Sequence, residues 1–448
     1  MLPERKGLSL FQATAINMID MVGIGPFVTM PLVINIMGGP QYIFAWLAGA
    51  LLSFIDGFVW SELGAAYPKA GGSYNFLKEA YGRKWGKLMS FLYVWQTIIQ
   101  APLVAASGAI GFALYCKYLF PLTLLQQKCV SGGVIIVLVM LLYRKIESIG
   151  KISIILWSAV IVTLLWIIFG GVTHRVQPLQ FLPDENISWS LFFVALGQAS
   201  VKTIYSYLGY YNVCHLGGEI RNPQRNIPRS IFISIAGISI LYLLMNVSIT
   251  GVIPWQEARL SEHIVSTFIE RIYGHSAAIF ATILILIIAF SSLFAVLLGY
   301  SRVPYAAAVD GRFFKVFAKL HPTKNFPYVS LLFLGATAFL FSLHEKLSDI
   351  ISAIIVMRII VQFIGQAVGL MLLRKRNGSK HLAFKVPLYP IPVILAILVW
   401  AFIFYSVEYK FKMYSLVVMF IGVIVFFITM KISAKRKNKI TAQSSASL

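Results

Sequence analysis

The stretch IDMVGIGPFVTMP, Ile19 to Pro31, interrupts a long apolar run with an acid (Asp20), two glycines (Gly23, Gly25) and a proline (Pro26). Pro26 lacks an N–H, and its ring clashes with the helical turn before it. The glycines let the backbone leave the helix at little steric cost. A break is therefore expected over Val22, Gly23, Ile24 and Gly25. Unwinding frees N–H and C=O groups within a segment otherwise apolar enough for lipid. That is tolerated only where the groups are buried in protein, line a cavity or meet a ligand. The N–H groups opening the second half-helix suit a carboxylate, and the helix dipole adds to the attraction. Carbonyls ending the first half suit a cation or an ammonium group. One unwound segment can thus hold a zwitterion by both ends; a proline kink made for packing is the plainer alternative.

The surrounding composition makes lipid the relevant solvent. Of 448 residues, 58% are hydrophobic and 12% charged, and mean hydropathy is +0.80. Soluble domains carry roughly a quarter charged residues. Apolar runs long enough to cross ~30 Å of hydrocarbon recur along the chain. Twelve candidate spans follow, the first centred near residue 24, the sixth near 203 and the tenth near 360. The net charge of +22 suggests nucleic acid until the basic residues are placed. With alternating spans and a cytoplasmic N-terminus, 28 of the 38 lysines and arginines fall inside, among them Arg5, Lys6, Arg144, Lys145 and Lys380. Eight fall outside, and Lys202 and Arg358 lie within spans. That split is the positive-inside pattern. It implies a multi-pass protein of the cytoplasmic membrane with both termini cytoplasmic, surrounded by lipid and binding no nucleic acid. The N-terminus carries no small-residue cleavage pattern, so no signal peptide is expected. Cys116, Cys129 and Cys214 form no disulfide framework; the first two flank one loop and are read as free thiols, with pairing the alternative.

A second interruption falls in span 6, where YSYLGYYN (Tyr205 to Asn212) sets Gly209 among hydroxyl-bearing residues. Breaks at the first span of each of two five-span units point to a transporter's midplane site. The surrounding blocks have a family likeness. GIGPF, SELGAAYPKAGGSYNFLKEAYG (Ser61 to Gly82), GYYNVCHLGGEIRNPQRNIPRSI (Gly209 to Ile231) and GYSRVPYAAAVDGRFF (Gly299 to Phe314) resemble, in order and spacing, the amino acid–polyamine–organocation transporters. The resemblance implies an all-α integral membrane fold. It has twelve transmembrane helices in a five-plus-five inverted repeat, with helices 1 and 6 discontinuous and two peripheral helices added. Residues 1–172 and 173–376 would be the repeats, 377–433 the peripheral helices, and 434–448 a basic, disordered tail. It also implies secondary transport of an amino acid or related amine. The chain departs from the pattern at Asp20, where many members have a small residue, and at Tyr211, where many have an acid. Span 5 lacks the lysine of some proton-coupled members.

Substrate-binding candidates are thus the backbone of Val22 to Gly25 and of Gly209, with Tyr207, Tyr210 and Tyr211 shaping the side-chain pocket. Asp20 is the leading candidate for the coupling ion (H⁺ or Na⁺) or for a substrate ammonium, since acids are costly to keep in lipid. A structural carboxylate is the rival reading. Ser291 and Ser292 offer hydroxyls to an ion, though serine pairs also serve helix packing. Asp56, Gln96 and Gln100 are polar-network candidates. Lys202 sits ~10 Å from Gly209 along a helix, lining a vestibule or reaching the outer interface. Arg358, Gln362 and Gln366 recur every four residues and form one stripe, with Arg358 placed to pair with a buried acid such as Asp20 or Asp56, or else to close the site from one side. No metal-ligand spacing, nucleophile–base arrangement or phosphate loop stands out. No enzyme, cofactor or metal site is expected.

Overall fold

A computed structural model describes residues 7–445, apart from 70, 144–148, 183–187, 325, 345 and 379–381, with the side chains of 84, 149–156 and 432–445 left undescribed. Arg5, Lys6, Arg144, Lys145, Lys380 and the last three residues of the tail lie outside the described residues. The fold is almost entirely helical. In order come α1 (Leu10–Met21), α2 (Gly25–Met37), α3 (Ile43–Ala66), α4 (Ser73–Ala80), α5 (Gly82–Leu119), α6 (Leu124–Leu142), α7 (Ile149–Thr173), α8 (Trp189–Tyr207) and α9 (Asn212–His215). Then follow α10 (Pro223–Thr250), α11 (Trp255–Ala258), α12 (Ile264–Tyr273), α13 (His275–Val309), α14 (Tyr328–His344), α15 (Leu347–Arg358), α16 (Gly365–Asn377), α17 (Ile391–Ser406) and α18 (Tyr409–Ser445). Among the described residues no sheet forms; Leu8 and Ile220 make a single isolated bridge.

Among the described residues, seven helices are long and apolar enough to cross a membrane, and α1 with α2, bent by 46°, makes an eighth span if taken together. Three more apolar helices, Trp157–Thr173, Tyr328–His344 and Ile391–Ser406, are shorter. Burial sorts them. The most apolar windows of α5 and α3 are 72% and 67% buried, whereas those of α6 and α18 are 22% and 17% buried. α3 and α5 are therefore central, and α6 and α18 turn their side chains outward. Phe169, Leu191, Phe402 and Phe420 are among many large apolar side chains left exposed. Soluble monomers rarely carry so much contiguous apolar surface, and here it meets lipid.

Local chemistry sets the helix ends. Ser9 and Gln12 form a reciprocal capping box at the start of α1, and Thr123 and Gln126 form another at α6. Each satisfies two N–H groups that the helix itself leaves unpaired. Pro26 stands in the first turn of α2, where its missing N–H costs nothing. The stretch SEHIVSTFIERIYG, Ser261 to Gly274, contains a helix, α12. α18 continues in backbone through the basic residues placed beyond the last span; Lys, Arg, Ala and Gln are strong helix formers.

The motif blocks meet in space. Tyr74 and Lys78 in α4 both donate to Asp310 at the end of α13, at 2.8 and 3.1 Å. Glu62 at the end of α3 takes a forked pair of bonds from Arg374 of α16, 2.6 Å at Nε and a shorter one at Nη2, and a third from the Val386 backbone at 2.7 Å. Arg374 also lies over the Tyr389 ring, 3.9 Å from its centroid. The carboxylate of this pair is completely buried and the guanidinium mostly so. Removing one partner of such a pair leaves the other uncompensated. Glu62→Gln is therefore expected to destabilise the protein by about 3 kcal/mol, read as a lowered unfolding temperature in detergent.

Candidate functional site

The expected break is present. α1 ends with the Val22 N–H on the Met18 carbonyl, and α2 begins three residues later. The second break spans Leu208 to Tyr211, between α8 and α9, with Gly209 at φ +119°. The two breaks touch. A Cβ on Gly209 would lie 2.7 Å from the Met21 nitrogen and 2.8 Å from the Asp20 carbonyl carbon. Only glycine lets the backbones approach this closely. The contact is closed by side chains that the sequence reading did not single out. The Tyr242 hydroxyl of α10 lies 2.8 Å from the Met21 carbonyl and 3.2 Å from the Ser206 carbonyl, its one proton shared between two helix ends. Asn17 of α1 accepts the Val213 N–H at 2.8 Å and so caps the opening of α9. Tyr242 was legible in principle, since a buried tyrosine in an apolar helix needs a partner for its hydroxyl.

A cavity of about 60 Å³ opens beside the breaks. Asp20, Gly23, Ile24, Gly25, Gly209, Tyr211, Ser292 and Arg358 all line it, so eight of the candidate residues come together. Val104, Gly108, Leu293 and Val296 supply an apolar wall between α5 and α13. Gly23 faces Ser292, whose hydroxyl would sit 2.5 Å from an added Cβ. Among the described residues no hydrogen bond reaches the Asp20 carboxylate. Asp20 and Arg358 are the two formally charged groups among the lining residues.

Among the described residues Arg358 pairs with no acid. Its Nε donates to Gln100 Oε1 at 2.6 Å, Nη2 to the Tyr300 hydroxyl at 2.5 Å, and Nη1 to the Tyr211 hydroxyl. Every one of those acceptors is neutral. The expected stripe of four-residue spacing also changes character, because Ile359–Ile364 is a π-helical turn between α15 and α16. Its wider winding shifts the phase of Gln362 and Gln366 relative to Arg358. All three side chains are nevertheless buried.

The remaining candidates lie outside the cavity lining. Tyr207 donates to the Trp46 carbonyl at 3.2 Å. Tyr210 donates to Asp56 Oδ2 at 2.5 Å, and Trp400 donates to Asp56 Oδ1 at 3.1 Å. Lys202 is not among the residues that line this cavity. It is buried and donates to Ser348 O and Oγ and to Ser352 Oγ at 2.6, 2.8 and 2.8 Å, tying α8 to α15. Ser291 spends its hydroxyl on the Ile287 carbonyl of its own helix. Gln96 is buried, and its amide has no partner among the described residues. Cys116, Cys129 and Cys214 are free thiols.

A family model described as "Amino acid permease" matches residues 8–429. The chain is 27% identical to the serine/threonine exchanger SteT of Bacillus subtilis over 399 residues, covering 88% of this chain and 89% of that protein. It is 26% identical to the human cystine/glutamate transporter, covering 88% and 78%. Identity to the branched-chain amino acid permease BcaP of Bacillus subtilis is 23%, covering 95% and 93%.

Proposed function

The chain belongs to the amino acid permease family, a family of multi-pass membrane transporters, and we propose that it is a secondary active transporter that carries an amino acid across the cytoplasmic membrane. On this reading it works by alternating access, within the twelve-helix inverted repeat, with both termini cytoplasmic. The observation that carries the proposal is one cavity holding the backbone of both helix breaks together with Asp20 and Arg358.

The chemistry assigns each end of a zwitterion. The N–H groups at the start of α2 take the carboxylate, helped by the helix dipole. Carbonyls at the end of α1 and the Asp20 carboxylate take the ammonium or the coupling cation, a proton or Na⁺. Tyr211 and Arg358 close one wall, and the apolar residues of α5 and α13 receive the side chain. A polyamine or other organocation carrier is the second reading. The Asp20 carboxylate without a protein donor favours it, and the guanidinium in the same cavity opposes it.

Two measurements test the proposal. A thermal-shift screen of the purified protein against amino acids and amines, at two pH values and with and without Na⁺, is expected to show stabilisation by one amino acid group. Proteoliposomes should then accumulate that group against its gradient when a proton or Na⁺ gradient is imposed. Binding without accumulation would instead indicate a membrane sensor.

A further inference from the structure

The segment Leu208–Tyr211 is held from two sides by opposite buried charges. Asp56 of α3 is completely buried, and its hydrogen bonds come from two neutral donors, Tyr210 and Trp400. Arg358 of α15 is equally buried, and its bonds go to neutral acceptors, one of them Tyr211. Neighbouring tyrosines thus face opposite ways, one giving its proton to a carboxylate and the other accepting from a guanidinium. Their rings meet edge to face with centroids 5.0 Å apart. Aromatic stacking braces both ends. Tyr211 lies on Trp60, centroids 4.2 Å apart at 12°, and Trp400 lies on Phe363, 3.9 Å apart at 3°. The residue immediately before this pair is Gly209, whose backbone abuts Asp20 and Met21 and lines the cavity.

An isolated buried carboxylate and an isolated buried guanidinium are each costly. Here each reaches the same four residues through one hydroxyl. A shift of either hydroxyl would reach Gly209 through at most two residues of backbone. We propose that Asp56 is a positioning residue for transport: through the Tyr210 hydroxyl it sets the place of Gly209 against the α1 break, with Arg358 and Tyr211 holding the same segment from the opposite side. Asp56 does not touch the cavity and acts only through this segment. The inference rests on the reading of the cavity as the substrate site.

Uptake of radiolabelled L-leucine, L-serine and L-glutamate, each alone, into proteoliposomes of the full chain tests it. For a transported probe, Tyr210→Phe and Asp56→Asn are each expected to raise KM about tenfold, the scale of one lost hydrogen bond to a charged group. The double variant should be no worse than the more affected single, because both remove the same link. A residue that merely stabilised the fold would lower the unfolding temperature without this cancellation in KM. Tyr210→Phe removes one oxygen atom and decides the matter alone if Asp56→Asn does not fold: an unchanged KM overturns the proposal, as do additive effects in the pair. If Gly209→Ala leaves uptake intact, the cavity reading itself fails. If Gly209→Ala blocks uptake while Tyr210→Phe is silent, only the role of Asp56 fails.

Discussion

Asp20→Asn is expected to abolish gradient-driven accumulation in proteoliposomes while leaving a folded protein. Initial uptake should fall roughly 100-fold, the scale of one charge-assisted hydrogen bond lost from a desolvated site. The residual uptake should no longer respond to pH. Asparagine has almost the shape of aspartate but can neither release a proton nor balance a cation. The other ionisable groups facing the cavity are Arg358 and the hydroxyls of Tyr205, Tyr211 and Tyr300. None of them is a carboxylate, the side-chain type that ionises below neutral pH in water. With no hydrogen bond reaching the Asp20 carboxylate from the described residues, its replacement breaks no internal network. The fold should therefore survive and the loss should be one of function. Undiminished accumulation in this variant, at each of several imposed gradients, would sink the assignment.

Gly209→Ala is expected to stop transport by a different route. The added methyl would sit 2.7 and 2.8 Å from backbone atoms of Met21 and Asp20, which cannot rotate aside as a side chain can. The backbone at φ +119° adds strain of about 1–3 kcal/mol for any residue with a Cβ. The two breaks must separate, and uptake should fall by more than tenfold with an unfolding temperature lowered by several degrees. Gly274 offers the control. It has φ +82° but nothing within 4 Å of an added Cβ. Gly274→Ala carries comparable backbone strain without the clash and should leave uptake unchanged. Equal losses in the two variants would assign the effect to strain alone and remove the contact between the breaks from the explanation.

How much of the site was legible follows the range of the forces involved. Pro26 and Gly23 act on their own helical turn, so the break they cause can be read from five residues of sequence. Asp20 is conspicuous for the same reason, as an acid in an apolar run. Arg358 is conspicuous too, but its partners are not. Gln100, Tyr211 and Tyr300 come from three other parts of the chain, and the sequence reading expected an acid in their place. Lys202 likewise bonds two serines of α15, partners that its own span does not reveal. Tyr207 and Tyr210, expected with Tyr211 to shape the side-chain pocket, bond Trp46 and Asp56 and do not line the cavity. In an unwound segment neighbouring residues point in directions that helical spacing does not predict.

Local composition alone therefore determined that this chain lives in lipid, that it is helical, and that its first span breaks beside an acid. Those properties depend on hydropathy over ~20 residues and on the backbone limits of proline and glycine. Only the tertiary structure decided that the two breaks touch through Gly209, that Tyr242 bridges their carbonyl ends, and that Asp20 and Arg358 face one cavity. Those contacts join residues some 35 to 340 positions apart. A buried polar group takes whichever partner the packing brings within 3 Å, and packing is a property of the whole fold.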